Sequence, residues 1–201
     1  VPGSMPGTAV SVFEEGLSIP PIRLYSEGRR NEDAFKIIRR NNRIPEMLEA
    51  DLDSEMQAIL MGARRMRELF QRFGTKTVEA CFQAILDKCR DIFRNELLPR
   101  IPDGEYEWED FIEHDGRSDP KLHRLALKMT KRDGRIILDF NGTAPQSVGP
   151  INWPADYADG AFLVKWIAPV LRNLADSPER AAEIHVNEGV CEVFEVIFPP
   201  K

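Results

Sequence analysis

Cysteine, histidine and tyrosine are each present only three times in this chain of 201 residues. Cys81, Cys89 and Cys191 are odd in number and form no CxxC pair, which argues against a zinc knuckle or a disulfide framework and makes the cytoplasm the simplest compartment. Cys81 and Cys89 fall on one expected helix, about 12 Å apart along its axis at about 1.5 Å per residue. That is too far to bridge, and both are expected in the core. No apolar run reaches the roughly 20 residues of a bilayer span: Ala161 to Val164 and Trp166 to Leu171 are split by Lys165. Basic residues are not in excess, with 27 Lys+Arg against 33 Asp+Glu and a formal charge of −6. The two signs are interspersed, so there is no electrostatic footprint for nucleic acid. A GxxxxGKS phosphate loop, a dinucleotide-binding glycine fingerprint and a GxSxG elbow are all missing, as are internal repeats and low-complexity segments. Nor is there a signal peptide. The sequence opens Val1-Pro2-Gly3-Ser4-Met5 and stops at Phe198-Pro199-Pro200-Lys201 directly after an apolar run, so both ends read as cut. A vector scar is the alternative for Val1 to Ser4.

What is present is globular, with 42% hydrophobic residues, enough for one large domain or two small ones. Residues 1–44 form a Pro/Gly-rich segment, extended through Leu17 to Tyr25 where Pro20-Pro21 forbids a helix, and end in a short helix, Ala34 to Arg40, introduced by Asn31-Glu32-Asp33. Residues 45–101 read as a long antiparallel helical hairpin. Pro45 opens a helix to about Phe73 with an apolar stripe of Leu48, Leu52, Met56, Ile59, Leu60, Ala63, Met66 and Phe70. Gly74 ends it, and Thr75 starts a second helix striped by Val78, Cys81, Phe82, Ile85, Cys89, Ile92, Phe93 and Leu97.

Residues 102–201 then change period. Glu105 to Glu109 alternates charge and aromatic rings as a half-buried strand, and Leu122 to Met129 alternates less cleanly. Asp133-Gly134 marks a hairpin leading into Arg135 to Phe140. A helical pattern over 155–174 is interrupted by Pro169, Ser177 caps a short helix, and Cys191 to Phe198 reads as a last strand buried on both faces. The fold class is α+β: the long antiparallel helical hairpin plus a small, mainly antiparallel sheet with further helices.

Polar clusters offer several kinds of chemistry, each with a plain structural alternative. Glu109 to Asp115 contains acids and His114 that suit a divalent metal, with Glu113 and Asp115 sharing a face if the strand continues. A solvated acidic hairpin end accounts for the same residues, since no second ligand pair stands at a recognisable spacing. His123 and His185 are isolated and read as hydrogen-bonded surface or core histidines. Asp139-Phe140-Asn141-Gly142-Thr143 ends a strand in a glycine loop, a place from which acids and amides point into clefts, although the same residues serve a plain turn just as well.

Read in order, several segments resemble the hydantoinase B / 5-oxoprolinase family, to which the large subunits of acetone and acetophenone carboxylases are also similar. They are Pro2-Gly3-Ser4-Met5, Glu15 to Pro21, Asn41-Asn42-Arg43-Ile44-Pro45, Asp51-Leu52, Ile101 to Tyr106, Asp115-Gly116, Asp139 to Thr143, Gly149-Pro150-Ile151-Asn152 and Asn187-Glu188-Gly189. The resemblance implies an interior fragment of a catalytic subunit, inactive alone. Its divalent-metal ligands are expected before Val1, so that Val1 to Ser4 is native sequence, and a glycine-rich portion is expected after Lys201. It also implies a hydantoinase A-type partner carrying ATP and magnesium in a hetero-oligomer. Such an enzyme opens a small cyclic amide (hydantoin, oxoproline or lactam) by phosphorylating the amide oxygen and admitting a metal-bound water. Carboxylation of a ketone is the alternative reaction, and a scaffold role without catalytic residues is the other reading. Site residues expected within the chain are Asp139, Asn141 and Asn152 as catalytic groups and Arg43 as an anion contact.

Overall fold

The structure is a computed structural model that describes residues 9–117, 121–153 and 157–199. The segments Val1 to Ser4, Pro200-Lys201 and the start of the 155–174 helical pattern lie outside the described residues. The chain divides into two units, Val1–Thr75 with Val148–Pro150, and Lys76–Ser147 with Ile151–Lys201.

In the first unit the extended segment ends in a small hairpin that local patterning did not reveal, β1 (Tyr25–Ser26) against β2 (Arg29–Arg30). The turn places Glu27 and Gly28 at positive φ, the geometry of a two-residue primed turn. Asn31 then caps α1 (Glu32–Arg40), its side chain accepting from the Ala34 N–H at 3.3 Å while its Nδ2 donates to the Arg23 carbonyl at 3.1 Å. The Asn41-Asn42-Arg43-Ile44-Pro45 segment is a helix stop followed by a restart. Asn41 Nδ2 donates to the Ile37 carbonyl at 2.8 Å, and Asn42 Oδ1 accepts from the Ile44 N–H at 2.8 Å. Pro45 follows at the first turn of α2 (Pro45–Phe73), where its missing N–H costs nothing. The stripe expected on α2 is narrower than its apolar residues allow, because Ile59 and Leu60 are exposed.

This unit is organised around one carboxylate. Glu49, buried on the first turns of α2, accepts from Arg30 Nη2 at 2.5 Å and from Arg39 Nε and Nη2 at 2.6 and 2.8 Å. The Arg30 guanidinium also lies 3.6 Å over the ring of Phe35, which Tyr25 meets edge-on. Hydrogen bonds from Arg39 and then Arg30 bring the Glu49 pKa down to about 2, against a smaller opposing effect of burial.

The second unit starts with α3 (Thr75–Ile92), which continues through a wide turn at Phe93–Leu97 and a tight one at Leu98–Arg100. The C-terminal half of its expected stripe is in the core, and Val78 near its start is also buried. Cys89, Phe93 and Leu97 are buried, whereas Cys81, Phe82 and Ile85 are exposed, so Cys81 is not a core residue.

The sheet that follows has the order β3-β4-β5-β6: Gly104–Ile112, His123–Arg132, Arg135–Asp139 and Phe194–Ile197. The first three strands form an antiparallel meander. Its second turn is made by Asp133 and Gly134, both at positive φ, as the Asp-Gly pair requires. The last strand joins β5 in parallel, with Leu138 opposite Val196.

The core lies on one face of this sheet. Ile136 and Leu138 pack with Phe93, Leu97, Val164 and Ala168 of α4 (Ala161–Leu171), and with Ile184, Val190 and Val193. Pro169 sits within the last turn of α4, which therefore ends after Leu171 rather than continuing regularly to 174. Ser177 caps α5 (Pro178–Glu183), accepting from the Arg180 N–H at 3.1 Å.

Two strands differ from their expected burial. β3 is exposed along its length, apart from Ile112, because it is the terminal strand and no described element covers either face. The last strand is shorter than Cys191 to Phe198, since Glu188–Val193 forms a 3₁₀ turn that carries Val190 and Val193 into the core. Glu195 is exposed, so β6 is not buried on both faces.

Candidate functional site

Opposite the core, the second face of the sheet carries charge. Cross-strand register puts Glu107 against Lys128 and Lys128 against Asp139, a row of three ionisable groups across three strands. With a side-chain period of two, Glu105 and Glu109 join that face from β3 and Arg124 joins it from β4. Lys128 Nζ lies 2.9 Å from Glu105 Oε2. This contact, with Glu107 and Asp139 nearby, holds the ammonium above the ordinary lysine range. Arg124 Nε donates to Glu109 Oε2 at 2.8 Å, and its Nη1 to the Gly142 carbonyl at 3.3 Å.

Glu107, Glu109, Arg124 and Lys128 line an open cavity of about 340 Å³ together with Asp139, Asn141, Trp108, Ala126 and Leu127. Its volume is on the scale of a small-molecule cleft.

Asp139 and Asn141 of the segment Asp139-Phe140-Asn141-Gly142-Thr143 form one wall, and backbone and side-chain contacts around them hold it in place. Phe140 N–H donates to the Ile197 carbonyl at 2.9 Å, anchoring the strand end to β6. Asp139 Oδ1 accepts from the Asn141 N–H at 2.9 Å, which turns the chain and leaves the Asn141 side chain exposed. Thr143 Oγ1 accepts from the Ala126 N–H at 3.1 Å and donates to the Ala126 carbonyl at 3.2 Å, while the Ala144 N–H donates to the Arg124 carbonyl at 2.8 Å. The loop thus runs beside the start of β4 and holds Asn141 against the cavity.

Of the residues expected at a site, Asp139 and Asn141 line this cavity together. Asn152 does not. It exchanges two hydrogen bonds with the Ser147 backbone, Oδ1 accepting at 2.8 Å and Nδ2 donating at 2.7 Å, and so closes the 147–152 loop. Arg43 is exposed between α1 and α2 in the first unit.

The Glu109 to Asp115 cluster is divided by the end of β3 at Ile112, so Glu113 and Asp115 do not share a strand face. Glu113 and His114 are exposed, but Asp115 is not a solvated acid. It is buried, with Oδ1 accepting from the Arg117 N–H at 2.9 Å and Oδ2 from the Ser147 hydroxyl at 2.5 Å. His123 Nε2 stands 4.0 Å from the same Oδ2, buried and without a hydrogen-bond partner among the described residues. His185 is exposed. Among the described residues no three His, Cys, Asp or Glu side chains converge as a metal ligand set.

Sequence reasoning missed Glu107, Glu109, Arg124 and Lys128 as cavity residues. Their alternation within each strand was visible, but the β3–β4 register depends on the connection between Ile112 and His123, which carries no short-turn signature.

Three comparisons bear on this arrangement. The family model described as Hydantoinase B/oxoprolinase matches residues 1–201. The chain is similar to a subunit of the putative D-/L-hydantoinase of Pseudomonas sp. (strain NS671), 31% identical over 150 residues, which are 73% of this chain and 25% of that protein. It is similar to the beta subunit of the caprolactamase of Pseudomonas jessenii, 34% identical over 138 residues, 69% of this chain and 24% of that one. The solved structure of the ATP-dependent caprolactamase from Pseudomonas jessenii shares the fold with a TM-score of 0.74 at 24% identity, over 98% of this chain and 31% of that one. The delta subunit of the acetophenone carboxylase of Aromatoleum aromaticum is 28% identical over 152 residues, 75% of this chain and 22% of its own length. The chain therefore spans about a quarter of each of these curated relatives.

Proposed function

The chain belongs to the hydantoinase B/oxoprolinase family, and from that membership we propose that it forms part of an ATP-dependent cytoplasmic enzyme that opens a cyclic amide such as hydantoin, oxoproline or a lactam. The observation that carries the choice of substrate class is the pairing of Asp139 and Asn141 on one cavity wall. A ring amide is held cis, so its N–H and C=O lie on the same edge. The side-chain amide of Asn141 has the complementary acceptor and donor and can meet that edge with two parallel hydrogen bonds. A ketone offers only the carbonyl, which is why the same wall favours amide opening over the carboxylation performed by the alternative class of relative.

Around that contact, Arg124 and Lys128 supply positive charge to an oxygen that becomes anionic as the ring opens, and Asp139 fixes the Asn141 backbone through its N–H. A hydantoinase A-type partner supplies ATP and magnesium, in keeping with a chain that has no phosphate loop.

The assembled complex is to be assayed with ATP against hydantoin, oxoproline, a lactam, and a ketone with bicarbonate. Ring opening that falls at least about tenfold in Asn141→Ala, roughly the loss of one good hydrogen-bonded contact, supports the proposal. Unchanged turnover, or activity on the ketone alone, overturns it. ATP hydrolysis by this chain on its own would overturn the division of labour.

A further inference from the structure

Among the described residues β3 has one neighbouring strand. It pairs with β4 along all of Gly104–Ile112, and among the described residues nothing pairs with its outer edge. The orientation of that edge follows from Ala126, which stands opposite Glu109: its N–H and carbonyl both engage the Thr143 hydroxyl on the side away from β3. Because hydrogen-bonding direction alternates along an antiparallel strand, the N–H and C=O groups of Glu105, Glu107 and Glu109 point outward. These are unpaired groups of a nine-residue strand.

Its side chains state what could lie beside it. Glu105, Glu107, Glu109 and Asp110 are acidic, and β3 contains no base. Three of the acids share one face, while the other presents Tyr106 and Trp108, the latter 74% exposed. The strand already paired with it has the matching chemistry. β4 sets Arg124 and Lys128 on the acidic face, bound to Glu109 and Glu105, and Leu125, Leu127 and Met129 on the other. Glu107 makes no ion pair among the described residues, so the edge retains uncompensated negative charge. A second copy of the same edge would bring acid against acid, which disfavours self-pairing.

We propose that the outer edge of β3 is a docking site for an extended segment of a partner polypeptide that alternates basic and aliphatic residues. The segment adds as a fifth strand, with its bases beside Glu105, Glu107 and Glu109 and its aliphatic side chains over Tyr106 and Trp108. Backbone pairing provides the attachment, and the alternation selects the occupant.

The test uses the whole chain and, as probe, a capped peptide alternating lysine and valine over nine residues, the length of β3. Controls are a glutamate–valine peptide and a lysine–valine peptide with proline at its centre. Binding is followed by calorimetry, and amide hydrogen exchange is read residue by residue. The expected result is that the lysine–valine peptide slows exchange at Glu105, Glu107 and Glu109 by about tenfold or more. Binding is also expected to weaken about tenfold in Glu107→Lys, one charge-pair contact converted to repulsion. The proline peptide and the acidic peptide leave exchange unchanged. Equal binding of the proline peptide would show non-specific attraction of charge and overturn the proposal. So would unprotected amides at saturating peptide, or protection that arises through dimerisation of the chain itself.

Discussion

Asn187 brackets the thiol of Cys89: its N–H lies 3.5 Å from Sγ, and Sγ lies 3.8 Å from its carbonyl oxygen. The same residue caps the Glu188–Val193 turn by accepting from the Gly189 N–H at 2.9 Å, and its Nδ2 donates to the Ile85 carbonyl at 3.2 Å. One side chain thereby fastens the turn to α3. Asn187→Ala is expected to lower stability by about 1–2 kcal/mol, a cap and one further hydrogen bond. Urea unfolding checks this, and Asn187→Asp, which keeps the capping oxygen, should recover part of the loss.

Gly189 is needed for space. A Cβ there would lie 2.1 Å from the Leu86 carbonyl oxygen, a backbone atom that cannot rotate aside. Gly189→Ala therefore forces the turn off α3 and should cost about 1–3 kcal/mol or more, as overpacking does. The expected signature is a lower urea midpoint together with faster exchange at Val190 and Cys191. An unchanged midpoint would mean that the two segments separate freely.

Acid should loosen the first unit through Glu49. Its folded pKa of about 2 lies below its ordinary value of 4.5, so the folded form binds the proton less readily than the unfolded one. The stabilisation is fully present above about pH 5 and is lost as pH falls from there towards 2. In urea unfolding at pH 7, 5 and 3, Glu49→Gln should be less stable than the wild type at pH 7, and the gap should narrow at pH 3. A gap that is constant with pH would assign the effect to packing instead of charge.

The Thr143 hydroxyl, bonded to both the N–H and the carbonyl of Ala126, sets the position of the wall that bears Asn141. Thr143→Val keeps the shape and removes both bonds, at a cost of about 1–3 kcal/mol. In the assembled enzyme the proposed role of Asn141 predicts a raised KM with a smaller change in kcat, and rescue by Thr143→Ser. A fall in kcat alone would separate this loop from substrate binding.

Much of this architecture was legible because its signals are local. Pro45, Gly74, Asp133-Gly134 and Ser177 each fix a chain direction within one turn, and the elements they delimit stand where expected. The Asp139 to Thr143 segment was legible as a strand end in a glycine loop for the same reason, but the cavity that Asp139 and Asn141 line depends on β3 and β4. What could not be read depends on partners distant in sequence. Asp115 looks like one more solvated acid until Ser147 is placed beside it, and Cys81 cannot be told from Cys89 until only one of them meets Asn187. The burial of Glu49 depends on Arg30 and Arg39 arriving from two other elements. Strand pairing also lay beyond the local pattern: β6 has the alternation of any strand, and nothing near it reveals that its neighbour is β5 or that the two run parallel.

That parallel pairing bears on how the chain is made. β3, β4 and β5 can zip together as each leaves the ribosome, but Ile136 and Leu138 must wait for Phe194 and Val196, with residues 140–193 synthesised in between. During that interval the most apolar edge of the meander is open. Pairing across so long a crossover forms more slowly than pairing between adjacent strands, and a chain that has not yet reached Phe194 leaves the β5 edge open to other chains. The acidic outer strand is protected from such encounters by its charge, whereas β5 is protected only by the arrival of the residues that complete the sheet.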